Sequence, residues 1–192
     1  FANWPSVLIS RKKPIKTLAD IKGMKLRVSS PADVPLVNSW GAVGIHMSVT
    51  KTYTAMQNGV IDAIQIAPSA LQRPWKLAEP GEYVSQGVKG VASLFFVMMN
   101  KQSWDGLSSS EQAAISKLTG KAASIKVSTT WGGADKKALA AAKAGKQIQL
   151  VTIDPAEAAK FDAASDKAVR AALAKADKSG IKATEIYNAL TQ

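Results

Sequence analysis

The chain has no cysteine and a single histidine, His46. The first absence excludes disulfides, thiolate metal sites and a cysteine nucleophile, and the second excludes a cluster of several histidines around a metal. No apolar run reaches the ~18 residues that a membrane-crossing helix needs. The longest, Val91 to Met99, suits a buried strand. Glycine-rich phosphate loops, HExxH and GxSxG patterns are all missing. No pair of carboxylates stands at a spacing that suggests acid–base work, so the residues offer no catalytic hypothesis, no cofactor and no metal. Acidic residues are also scarce: 14 Asp and Glu face 25 Lys and Arg, for a net charge of +11. That excess raises nucleic acid as a partner. Arg11, Lys12, Lys13, Lys16, Lys22, Lys25 and Arg27 are opposed only by Asp20, whereas Lys136, Lys137, Lys143 and Lys146 are scattered through alanine-rich sequence. Base-stacking aromatics do not interleave the basic runs, so solvated lysine faces are the expectation and a basic nucleic-acid-binding module the alternative.

What is present is ordinary for a soluble globular protein: 46% hydrophobic and 20% charged residues over 192 positions, enough for one domain or two small lobes. The first residue is Phe1, with no signal-peptide pattern, so a leader has been removed or the numbering begins inside a longer protein. Residues 6–10 read as a strand and 18–21 as one helical turn stopped by Gly23. Residues 24–29 alternate apolar and polar, the period of a two-faced strand. Ser30-Pro31-Ala32-Asp33 opens a helix with a cap, a proline and a first-turn acid. A short strand at 45–47, a helix from Thr50 to Asn58 and a central strand at 60–67 follow, then a short helix from Pro68 to Trp75. Residues 83–86 are extended, 91–99 a long strand, and Ser108 to Glu111 a capping box before a helical stripe that Gly132-Gly133 bends or interrupts. Residues 147–153 form a strand, Asp154-Pro155 starts a helix, and 183–190 form the last one. Alternating strands and helices predict an α/β fold with a largely parallel sheet.

Arg27 is the leading site candidate. An arginine at the end of such a strand, just before a capped helix, lies where open α/β sheets bind ligands, and its planar fork matches a carboxylate. The pattern alone fits a solvated surface arginine equally well. Trp4 suits a pocket wall or plain packing. Gln65, Ile66 and Ser69 flank Pro68 at the end of a central strand, facing a cleft or capping the next helix. Trp75 and Trp131 read as structural, and Asp62 as a partner of neighbouring backbone.

Two motifs carry a resemblance. Pro14-Ile15 followed by Leu18-Ala19-Asp20-Ile21-Lys22-Gly23-Met24-Lys25-Leu26-Arg27-Val28 resembles the signature of the solute-binding proteins of TRAP (tripartite ATP-independent periplasmic) transporters. Tyr53-x-Ala55-Met56-Gln57-x-Gly59-Val60-Ile61-Asp62 matches that family's second motif, and Asn100-x-x-Ser103-Trp104-x-x-Leu107-Ser108 fits a third stretch. The resemblance implies the two-lobed fold of type II periplasmic binding proteins, closing on a ligand whose carboxylate is held by Arg27. Trp4, Ser30, Met47, Val49, Gln65, Ile66 and Ser69 would line the cleft. It also implies a periplasmic, non-enzymatic role, with TRAP permease subunits as partners and no nucleic acid.

Some family members carry a basic residue where Val7 stands, and polar residues where Ala63 to Pro68 stand. Both departures imply a more apolar cleft and a monocarboxylate with a hydrocarbon or aromatic body. The chain resembles the C-terminal part of such proteins, the N-terminal part of the first lobe being absent. Residues 1–91 and 132–192 would then belong to the ligand-binding lobe, and 92–131 to a returning piece of the other, with an exposed hydrophobic face as the consequence.

Overall fold

The computed structural model describes residues 1–2, 5–88, 93–145 and 147–191. Six strands form one sheet: β1 Val7–Ser10, β2 Lys25–Val28, β3 Val43–His46, β4 Ala63–Ile66, β5 Tyr83–Gln86 and β6 Gln149–Thr152, in the order β3-β2-β4-β1-β5-β6. β1 alone runs against its neighbours β4 and β5; the pairs β2–β3, β2–β4 and β5–β6 are parallel. The α/β class with a largely parallel sheet is therefore present.

The two-residue period of the strands sorts their side chains onto two faces. Leu8, Leu26, Val28 and Ala63 join one core with Ile21, Val37, Trp40 and Phe161. Val7, Ile9 and Ile64 join another with Met56, Leu71, Leu77 and Ala142. Helices α1 Leu18–Ile21 and α2 Val34–Ser39 supply residues to the first face, and α3 Thr52–Gln57 to the second. Between 101 and 191 follow α4 Lys101–Asp105, α5 Ser109–Lys117, α6 Gly120–Ala144, α7 Pro155–Lys178 and α8 Ala183–Thr191. α6 covers the second face and α7 the first. The Trp40 ring meets Phe161 edge-on at 5.4 Å, and its Nε1–H donates to the Phe161 carbonyl at 3.2 Å and to Ser165 Oγ at 2.8 Å. A large apolar ring is thus buried without orphaning its polar atom.

Both sequence motifs have local structural causes. Asp20 Oδ2 accepts the backbone N–H groups of Lys16 and Thr17 at 2.9 and 2.8 Å, completing a capping box for α1. Gly23 follows at φ +73°, where only glycine turns without strain, and its N–H reaches the Gly41 carbonyl at 2.8 Å. Asp62 Oδ2 accepts from the Lys25 backbone N–H at 2.8 Å, tying the approach to β4 to the start of β2, as expected of a residue bonding neighbouring backbone.

Several elements differ from the sequence expectation. The helix after Ser30 begins as a 3-10 turn, Pro31–Asp33, and the one before Asn58 as another, Val49–Lys51. The expected helix from Pro68 to Trp75 shrinks to the 3-10 turn Pro68–Leu71. Gly132 and Gly133 lie within an unbroken α6, because packing along the Pro68–Leu71 turn and β6 outweighs weak glycine propensity. The helical stripe instead breaks between α5 and α6, where Gly120 takes φ +74°.

The long strand expected over Val91 to Met99 is not formed over its described part, 93–99; Val91 and Ala92 lie outside the described residues. Only Leu94 bridges, to Ala2. A strand needs a neighbour that supplies hydrogen bonds along its length; among the described residues the pairing is confined to Phe1 and Ala2, where Phe1 and Phe95 exchange backbone hydrogen bonds at 2.8 and 3.0 Å. Its apolar side chains stay in solvent, Val97 at 91% exposure.

Phe161, fully buried, locks α7 to the sheet. Phe161→Ala should cost about 3–5 kcal/mol, and Phe161→Leu clearly less, in urea denaturation. A loss under about 1 kcal/mol for the alanine variant would mean that α7 contributes little to the core.

Candidate functional site

A cavity of about 680 Å³ opens at the C-terminal ends of β2 and β4. Its position follows from topology: parallel strands leave their loops on one side, and side chains at those ends face the crevice. Arg27 lies opposite Ile64 of β4 and Ile45 of β3, on the opposite face from Leu26 and Val28. Its side chain reaches the chain just beyond β3. Nε and Nη2 donate to the Met47 carbonyl at 3.0 and 2.9 Å, and Nη1 donates to Ser29 Oγ at 3.2 Å. Three of the five guanidinium N–H donors are thereby used, leaving two. Arg27 is only 3% exposed yet lines the cavity. Burial lowers its pKa and the charge of nearby Asp33 raises it, and the guanidinium stays charged at neutral pH.

Asp33 also lines the cavity. Its burial pushes its carboxyl above the usual 3.8, against the opposing pull of the Ser30 N–H, Arg27 and His46. The N–H groups after Ser30, a natural source of positive potential, are already engaged. Ser30 Oγ accepts from Ala32 N–H at 3.1 Å, the Ser30 carbonyl from Asp33 N–H at 3.1 Å, and the Pro31 carbonyl from Val34 N–H. Positive charge in the cavity therefore comes from side chains rather than from a helix end.

Another part of the lining is aromatic. Trp75, Phe95 and Trp131 form it, with the Phe95 and Trp131 rings 4.8 Å apart. Trp131 Nε1–H donates to Ser69 Oγ at 3.1 Å, and Ser69 N–H donates to Asp135 Oδ1 at 2.8 Å. Two residues one turn apart on α6 thus clasp the Pro68–Leu71 turn and hold the wall in register with the end of β4.

Of the residues singled out in the sequence, Arg27, Ser30, Val49, Ile66 and Ser69 come together around the cavity. Met47 contributes through its carbonyl, as the anchor of Arg27. Gln65 is not among the lining residues. It pairs with Leu8 on the other face of the sheet, buried, and its Nε2 finds no acceptor among the described residues. Strand alternation allows only one of Gln65 and Ile66 on the cavity side. Trp4 lies outside the described residues. Trp75 and Trp131, read as structural, are wall residues, and Asp33, Arg73 and Phe95 join the lining without having been singled out as site residues. Arg73 carried a usable signal: it is the only charged residue between Asp62 and Lys76, on the connection that follows a central strand. His46 is exposed at the end of the edge strand β3.

An open α/β sheet with a guanidinium buried beside an apolar cavity at its strand ends defines a protein built to hold a small solute. The chain belongs to the bacterial extracellular solute-binding proteins, family 7, whose model matches residues 6–176. A solute-binding protein of Roseobacter denitrificans is 38% identical over 119 residues, 60% of this chain and 35% of the relative. A TRAP periplasmic solute-binding protein of Desulfovibrio salexigens, solved with bound orotic acid, superposes with a TM-score of 0.82 at 27% identity, covering 98% of this chain and 60% of that one. A TRAP solute-binding protein of Rhodoferax ferrireducens, solved with benzoate, gives a TM-score of 0.85 at 22% identity, covering 96% and 58%. The resemblance drawn from the two motifs is thus shown, and the chain spans only part of the length of these relatives. Among the described residues no helix is long and apolar enough to cross a membrane.

The raised Asp33 carboxyl has a pH signature. A group whose folded pKa exceeds its unfolded one adds stability that is complete below the unfolded value and lost as pH rises through the folded value. Asp33→Asn removes that slope, so the variant should gain stability relative to wild type as pH rises above the ordinary carboxylate value of 3.8 in urea titrations. A stability difference independent of pH would show that Asp33 is not strained by burial.

Proposed function

We propose that the protein is the solute-capturing component of a TRAP-type transporter, acting in the periplasm, and that it binds a small organic acid for delivery to the membrane permease. The observation that carries this reading is the Arg27 guanidinium, buried, fixed by the Met47 carbonyl and Ser29, and left with two N–H donors at an aromatic-walled cavity. A carboxylate is the acceptor that suits such a fork, and low dielectric around it strengthens the pairing. Ionised ligand oxygens also need their remaining lone pairs met. Ser30 and Ser69 accept from N–H groups through their hydroxyl oxygens, which leaves each O–H able to donate. Val49, Ile66 and the aromatic wall would take the apolar body of the acid. The orotate and benzoate bound by the two solved relatives are flat acids of this kind.

Capture by closure of two lobes belongs to the same proposal, with residues 1–91 and 132–192 in the ligand-binding lobe and 92–131 in a segment of the other. The apolar stretch at 94–99, exposed in this chain, supports that division, since a second lobe would cover it.

Calorimetric titration with benzoate and orotate tests the reading. Arg27→Ala should weaken binding about 100-fold or more, because each hydrogen bond to a charged group is worth about 1.5–3 kcal/mol. Arg27→Lys, which keeps the charge but loses the planar fork, should recover only part of it. Equal affinity in wild type and Arg27→Ala would place the acid elsewhere. Absence of acid binding, together with salt-steep retention on duplex DNA, would favour a basic nucleic-acid-binding module instead.

A further inference from the structure

Val7 is buried in the sheet core and brings no charge to the cavity. A second arginine lines the cavity. Arg73 follows the Pro68–Leu71 turn, two residues before Trp75, and both line the cavity. Its position relies on the clasp described above: Trp131 and Asp135 hold Ser69, and hence the turn from which Arg73 departs.

The two arginines differ in what already occupies them. Arg27 is buried, spends three donors on Met47 and Ser29, and feels the charge of Asp33. Arg73 is exposed and makes no hydrogen bond or ion pair among the described residues. The carboxylate that feels its charge, Glu79, is held by the Tyr53 hydroxyl at 2.7 Å and by Lys76 at 3.3 Å. Arg27 and Asp33 offset each other in the cavity, and the charge left over belongs to Arg73.

We propose that Arg73 forms a second anion subsite, so that the preferred ligand is bifunctional: one carboxylate on Arg27, a second carboxylate on Arg73, and a flat apolar body against Trp75, Phe95 and Trp131. This inference rests on the carboxylate reading of Arg27 and changes its ligand class from a monocarboxylate to a dicarboxylate. Arg73 supplies discrimination rather than most of the affinity, because an ion pair in contact with solvent is screened and a buried one much less so.

Calorimetry with benzoate, benzene-1,3-dicarboxylate and benzene-1,4-dicarboxylate separates the two arginines. In the wild-type protein at least one dicarboxylate should bind about tenfold or more tightly than benzoate. Arg73→Gln should bring that dicarboxylate down to the benzoate level while weakening benzoate much less, and Arg73→Lys should restore part of the preference. Arg27→Gln should weaken every acid. A dicarboxylate preference that survives Arg73→Gln, or a wild-type preference for benzoate, overturns the second subsite and leaves the Arg27 reading intact. Wild-type protein that binds none of the three acids overturns both.

Discussion

A charged guanidinium buried between strand ends is the constraint around which this site is organised. Removing Arg27 from water is expensive unless its donors are met. The Met47 carbonyl meets two of them, Ser29 Oγ a third, and the charge of Asp33 offsets part of the desolvation. Each of these partners stands just beyond a strand end. The chain leaving β3 must therefore pass close enough to present the Met47 carbonyl, and the turn after β2 must present Ser29 and Asp33. Holding the cation in place and shaping the mouth of the cavity are a single structural requirement.

The remainder of the molecule supports that arrangement from both sides. One face of the sheet is sealed by α7 through Phe161 and Trp40, so the strands carrying Arg27 and Ile66 have a fixed backing. On the other face α6 grips the Pro68–Leu71 turn through Trp131 and Asp135, which holds Trp131 in the lining of the cavity that Arg27 shares. The family motifs serve the frame as much as the site. Asp20 caps α1, Asp62 couples the starts of β2 and β4, and Gly59, at φ +73°, leaves room for the Arg11 guanidinium that bonds the Gln57 carbonyl. Among the conspicuous charged residues of the two motifs, Arg27 alone turns into the cavity.

The apolar residues at 94–99 mark where this frame ends. They read as a strand because alternation and hydrophobicity are local properties, but a strand exists only when another strand supplies its hydrogen bonds. Phe95 still finds a role there, stacked on Phe1 at 5.6 Å and packed with Trp131 at the cavity.

The local pattern by itself determined the α/β class, the two-faced strand carrying Arg27, the helical turn stopped by Gly23, the capped start at Ser30, and the placement of Ile66 and Ser69 beside a strand end. These follow from periodicity and capping chemistry acting over a few residues. Which side of the sheet Gln65 takes was also implicit in that period, though easily passed over beside Ile66. Only the tertiary structure decided that Met47 anchors the arginine by its carbonyl, that an unbroken α6 carries Gly132 and Gly133, and that Arg73, Asp33, Trp75, Phe95 and Trp131 share one cavity. Those outcomes depend on contacts between residues far apart in the chain. A turn, a loop arginine or a lone tryptophan has no periodicity of its own to say which distant element it will meet.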